Sequence, residues 1–143
     1  MSLRRFIYAG VMIAGLALSG SALAQDRVSI QIQGNVPLID LGLDPCELTF
    51  QAQNYGSRTI ERIKVGVSVQ DRKGNTVKAQ NINFRYIDPG KSSQPRMIKL
   101  GISCGGIGVV RMRGVEECVI AGKRQKTCSL TATSRTPSIR VEF

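Results

Sequence analysis

The residues able to do chemistry in this chain of 143 residues are four cysteines, Cys46, Cys104, Cys118 and Cys128, and 20 lysines and arginines set against 10 acids. Histidine is absent. That removes the commonest general base, and with it Ser-His-Asp triads and histidine-based zinc or copper sites. No two cysteines form a C-x-x-C pair, so their spacing suits neither a zinc site nor a thioredoxin-type redox couple. Glu116-Glu117 offers adjacent carboxylates, but neighbours in a strand point to opposite faces and do not work on one substrate, so they read as solvated or ion-paired surface. Gly105-Gly106-Ile107-Gly108 lacks the lysine and the following helix of a phosphate-binding loop, and reads as a turn between strands. The chain is therefore not expected to be an enzyme, and no catalytic, metal or cofactor residue is assigned.

Positive charge is what remains. Arg58, Arg62 and Lys64 fall on the exposed phase of one segment, Arg72 and Lys73 lie in a turn, and Lys123, Arg124 and Lys126 crown a hairpin with Gly122-Lys123-Arg124 at its tip. Charge of this kind is either plain solvated surface or a contact site for an acidic protein or an anionic envelope component. Nucleic acid is a poor fit for an exported chain with three tyrosines, four phenylalanines and no tryptophan to stack on bases.

Export is read from residues 1–24. Arg4 and Arg5 open the chain, an apolar stretch follows over residues 6–18, and Ala22-Leu23-Ala24 closes it, which is the three-part order of a cleavable secretory signal. The apolar stretch falls short of the roughly 20 residues a membrane span needs, and Gly10, Gly15 and Ser19 interrupt it. No stable membrane span is expected after cleavage, and Gln25, not a cysteine, would begin the mature chain, leaving no lipid acceptor. Taking 24 residues from 143 leaves 119, the size of one domain over residues 25–143. Loss of the two leader arginines lowers the formal charge from +10 to about +8. The expected location is periplasmic or secreted, where four cysteines read as two disulfides. Three pairings are open; Cys46 with Cys104 and Cys118 with Cys128 ranks first, since the former share the parity of core positions and the latter flank the hairpin.

The elements that position these residues follow from a period of two. Val28, Ile30 and Ile32 alternate with polar residues, as do Leu48, Phe50 and Ala52, and then Ile63, Val65, Val67 and Val69. Asp71-Arg72-Lys73-Gly74-Asn75 predicts a reversal. Val77 and Ala79 then have one parity and Ile82, Phe84 and Tyr86 the other, which predicts a bulge or change of sheet near Gln80 and Asn81. Asp88-Pro89-Gly90 is a second turn. Ile98, Leu100, Ile102 and Cys104 hold one phase, and strands are expected around 107–113, 115–120, 127–133 and 138–143, with a connection over residues 34–45. About seven to nine short strands define an all-β fold, an antiparallel β-sandwich.

Residues 48–77, LTFQAQNYGSRTIERIKVGVSVQDRKGNTV, resemble the second and third strands of small bacterial immunoglobulin-like or fibronectin-like envelope domains, including the FxLYD type. The strand ending in Asn54-Tyr55-Gly56, the alternation from Ile63 to Val69, and Asp71 with Gly74 carry the resemblance, and DPGKS at residues 88–92 resembles the same families' proline-glycine turn. The Phe-x-Leu-Tyr-Asp motif itself is absent. The resemblance implies an immunoglobulin-like sandwich and no activity.

The expected function is a non-enzymatic periplasmic or secreted interaction or accessory protein that presents edge strands and a basic surface to a partner. The alternative is a secreted inhibitor or defence protein that blocks a hydrolase such as lysozyme, though lysozyme is itself basic and a charge near +8 opposes that pairing. No pattern specifies the oligomeric state.

Overall fold

The computed structural model describes residues 26–35, 45–126 and 128–143, so the leader expected over residues 1–24 and most of the connection after Gly34 lie outside it. Within the described residues the alternating segments become strands with one face on a shared core. The strands are β1 (Arg27–Asn35), β2 (Glu47–Asn54), β3 (Ile60–Asp71), β4 (Thr76–Ile87), β5 (Arg96–Lys99), β6 (Ile107–Ile120), β7 (Lys123–Arg124), β8 (Ser129–Ser134) and β9 (Arg140–Glu142). Two sheets pack face to face as a β-sandwich, one ordered β5-β2-β1-β8 and the other β4-β3-β6-β7, with β9 also on β6. The second strand lies beside the fifth and the third beside the sixth, as B lies beside E and C beside F in immunoglobulin-like sandwiches.

Most of the core comes from residues that the period of two assigns inward. Val28, Ile30 and Ile32 of β1, Leu48, Phe50 and Ala52 of β2, and Ile63, Val65, Val67 and Val69 of β3 are all buried. At about 25 cal/mol per Å² of apolar surface removed from water, each fully buried aliphatic or aromatic side chain contributes roughly 1.5–3 kcal/mol. Two disulfides fasten this core. Cys46–Cys104 joins the entry of β2 to the turn that leads into β6, with Cα atoms 4.7 Å apart, and Cys118–Cys128 closes the β6–β7 hairpin at a Cα separation of 6.4 Å.

Four features depart from the sequence reading. The sandwich is not wholly antiparallel: β8 runs parallel to β1, and β9 parallel to β6. The chain leaves the second disulfide at the end where β1 begins, since Ser129 N donates to Asp26 O at 3.1 Å, and so β8 must run in the direction of β1. It turns back at the far end, where β6 begins, and β9 must follow β6. Second, the strands expected at 107–113 and 115–120 are one strand that bends at Gly114, whose φ is +108°.

Third, no register shift occurs at Gln80 and Asn81. The shift is opposite Val69 and Gln70, which pair with Lys78 and Thr76, and Tyr86 departs at the other end with φ of +49°. Ile82 and Phe84 are thus buried, whereas Tyr86 is turned out and Ile87 takes its place in the core. Fourth, the hairpin turn is Ala121-Gly122, both at positive φ, and Ile120 pairs with Lys123 across it. Lys123 and Arg124 belong to the returning strand and not to the tip.

Candidate functional site

The outer face of the sheet β4-β3-β6 gathers most of the charge singled out in the sequence. Arg62 and Lys64 alternate with the buried Ile63 and Val65 and so point outward from β3. On β6 the pairing steps from Lys64–Glu117 to Val65–Val115, leaving Glu116 as the extra residue of a β-bulge. The bulge cancels the alternation that would have sent Glu116 and Glu117 to opposite faces, and both carboxylates meet cations on one face. Glu116 Oε2 lies 3.3 Å from Lys64 Nζ and accepts from Asn81 Nδ2 at 2.7 Å. Glu117 Oε1 lies 3.4 Å from an Arg62 nitrogen and 3.2 Å from an Arg124 nitrogen.

Of the eight cations named from sequence, the structure therefore joins Arg62, Lys64 and Arg124 through two carboxylates, while Arg72 and Lys73 lie in the turn between β3 and β4. Arg58 stands apart. It precedes β3, which begins at Ile60, and its guanidinium reaches Asp26 at 2.6 Å. Lys123 and Lys126 are exposed and have no carboxylate partner among the described residues.

The hairpin that carries Lys123 is held at several points. Cys118 and Cys128 bridge its base, Gln125 N donates to Cys118 O at 2.8 Å, and Gly122 N donates to Glu61 Oε1 at 2.7 Å. Beside it lies a recess of about 320 Å³ whose wall includes Glu116, Glu117, Arg124, Lys126, the disulfide and Phe143. These groups can hold a partner by charge and hydrogen bonds.

Sequence reasoning missed Asn81, Arg113 and Arg111. Arg113 crosses the sheet so closely that a Cβ on Gly66 would stand 3.2 Å from its Cβ, and Arg111 pairs with Glu142 of β9 at 2.8 Å. A run of charges on β6 was visible, but apart from Arg124, which follows Glu117 in the hairpin, its partners lie 31 or more residues away, and only the register brings them together.

Fold and site together define a two-disulfide β-sandwich with one outer face carrying a lattice of paired charges and an adjoining cationic hairpin. Among solved structures, the chain is similar to IrmA from Escherichia coli, with a TM-score of 0.50 and 14% identity over 78% of this chain and 92% of that one. At that identity the likeness concerns the fold. No family model and no curated protein matches the chain. No helix among the described residues is long and apolar enough to cross a membrane.

Proposed function

We propose that the chain is a non-enzymatic interaction or accessory protein acting outside the cytosol, and that its hairpin offers Lys123 and Lys126 to an acidic protein or an anionic envelope component. The observation that carries this reading is the contrast in pairing. Arg62, Lys64 and Arg124 have carboxylates to neutralise them, whereas Lys123 and Lys126 extend from a disulfide-closed hairpin with none among the described residues. A contact segment already held rigid loses little further freedom on binding, so less of its interaction energy is lost to ordering. The residues over 1–24 support export, and oxidised cysteines suit that compartment.

Purified protein and the variant Lys123→Gln/Lys126→Gln are used to capture partners from an envelope extract at low and high salt. The reading expects one partner to be recovered with the native chain, weakly at high salt, and about tenfold less with the variant, as for the loss of two exposed contact charges. Equal recovery by both proteins would refute it. N-terminal sequencing of protein from the native host tests export separately, with Gln25 as the expected first residue.

A further inference from the structure

The long border of the charged sheet offers a second contact surface. Among the described residues β4 pairs with β3 alone, so one row of its main-chain N–H and C=O groups faces away from the sheet. Arg96 identifies that row, because its Nε donates to Asn83 O at 3.1 Å. Main-chain direction alternates along a strand, so Asn81, Asn83 and Arg85 all turn their N–H and C=O outward.

The two halves of this edge differ. Lys78 sits at a core-face position opposite Val69, and the register shift falls beside it. A lysine at such a position, its charge left exposed, and a bulge are devices that keep another strand from adding to an edge. Neither device occurs from residue 81 to residue 85, where the register is regular. This half opens on a groove of about 580 Å³ between β4 and β5, the borders of the two sheets.

The chemistry of the groove is one-sided. It is lined by Arg85 and Arg96, by the amides of Gln80, Asn81 and Asn83, and by Met97, without a carboxylate among its lining residues. Arg85 faces Arg62 directly across the strands, and Arg62 is paired with Glu117 while Arg85 has no acidic partner among the described residues. Asn83 Oδ1 is buried with no hydrogen-bond donor. On the opposite bank Met97 is 64% exposed.

We infer that this groove receives an extended acidic segment of a partner protein, which adds as a strand to residues 81–85 of β4. A main-chain N–H of the segment replaces Arg96 Nε on the Asn83 carbonyl. The released guanidinium and that of Arg85 then meet carboxylates on the segment, while its alternate side chains lie against Met97. This rests on the chain being an interaction protein, and it names the partner's form at a surface distinct from the hairpin.

The test titrates a blocked synthetic peptide of about seven residues, alternating valine and glutamate, into the mature protein, with a valine-lysine peptide as control. Amide exchange is followed by NMR. The acidic peptide is expected to slow exchange at Asn81, Asn83 and Arg85 by about tenfold, and the lysine peptide to leave it unchanged. Asn83→Pro removes one outward N–H without touching the β3 pairing and should abolish the effect with an unaltered circular dichroism spectrum. Arg85→Glu/Arg96→Glu, which keeps every main-chain group, should reverse the preference between the peptides. Equal response to both peptides, or protection confined to the hairpin, would overturn the inference. Protection at the hairpin that Lys123→Gln/Lys126→Gln removes would leave the hairpin reading standing while the groove falls, and protection at β4 unaffected by that variant would support the groove whatever the outcome of the hairpin capture test.

Discussion

Asn54 Nδ2 donates to the carbonyl of Ile87 at 2.8 Å, tying the last residue of β2 in one sheet to the last residue of β4 in the other. The same amide nitrogen donates to Arg58 O at 2.8 Å, and Asn54 Oδ1 accepts from Gly56 N at 2.8 Å, all from a side chain with no exposed surface. Asn54→Ala would leave two carbonyls and an N–H without partners, at a cost of about 2–4 kcal/mol. Asn54→Asp should cost at least as much, since a carboxylate would face two carbonyl oxygens. Urea unfolding checks both, and an unchanged midpoint for the alanine variant would show that water replaces these bonds without penalty.

A pH dependence follows from Asp71. Its carboxylate accepts from Asn75 Nδ2 at 3.0 Å and from the backbone N–H groups of Asn75 and Lys73 at 2.8 Å each. These bonds, the Asn75 side chain foremost, hold its pKa below the ordinary value of 3.8. The folded pKa is the lower of the two, so the stabilisation is complete above the unfolded value near 4 and is lost as pH falls through the folded one. Asp71→Asn should be less stable than the native chain at about pH 6, with the gap closing toward about pH 2. Thermal unfolding across that range measures the convergence, and a gap independent of pH would refute it.

Much of the sandwich was legible because burial on one face imposes strict alternation, and Val28, Leu48, Phe50 and the run from Ile63 to Val69 obey it. The disulfide pairing was also legible, since parity placed Cys46 and Cys104 inward and a hairpin set Cys118 near Cys128, although the strand expected to carry Cys104 stops at Lys99 and Cys104 lies in a 3-10 turn. What escaped were positions where one residue changes the phase. Glu116 is an extra residue in β6, and nothing local distinguishes it from Glu117; only the pairing with Lys64 and Val65 on β3 does. Tyr86 follows the parity of Phe84 in sequence, yet its backbone takes φ of +49° and hands the core position to Ile87. The charged face was therefore seen as cations without their carboxylates.

Two glycines of the 105–108 run should differ in their response to alanine. A Cβ on Gly108 would lie 2.6 Å from the carbonyl oxygen of Asp71 and 3.1 Å from Arg72 Cα, backbone atoms held by the pairing of Asp71 with Ile107 and by the Arg72 N–H on Gly106 O. Gly108→Ala is expected to destabilise by about 1–3 kcal/mol, as overpacking against fixed atoms does. A Cβ on Gly105 meets nothing within 4 Å, so Gly105→Ala should stay within about 0.5 kcal/mol of the native chain. Paired denaturation curves decide this, and equal effects would mean that closeness to Asp71 is not what the glycine provides.

The hairpin turn offers a stabilising change. Ala121 has φ of +50° and Gly122 +72°, so both central residues of a two-residue loop are left-handed, which is the type I′ form suited to the twist of paired strands. Gly122 adopts this conformation freely, whereas an alanine in it is strained by roughly 1 kcal/mol. Asparagine tolerates the left-handed region, and Asn-Gly is the preferred pair for this turn. Ala121→Asn should therefore raise stability by about 0.5–1 kcal/mol, and Ala121→Val, branched at Cβ, should lower it by at least as much. Neither change touches Lys123 or Lys126, so capture of an anionic partner by the folded protein should be unaltered in both. Denaturation midpoints that fail to order as Asn above Ala above Val would show that the turn relaxes to another form, and with it the pairing of Ile120 and Lys123 that holds the cationic strand in place.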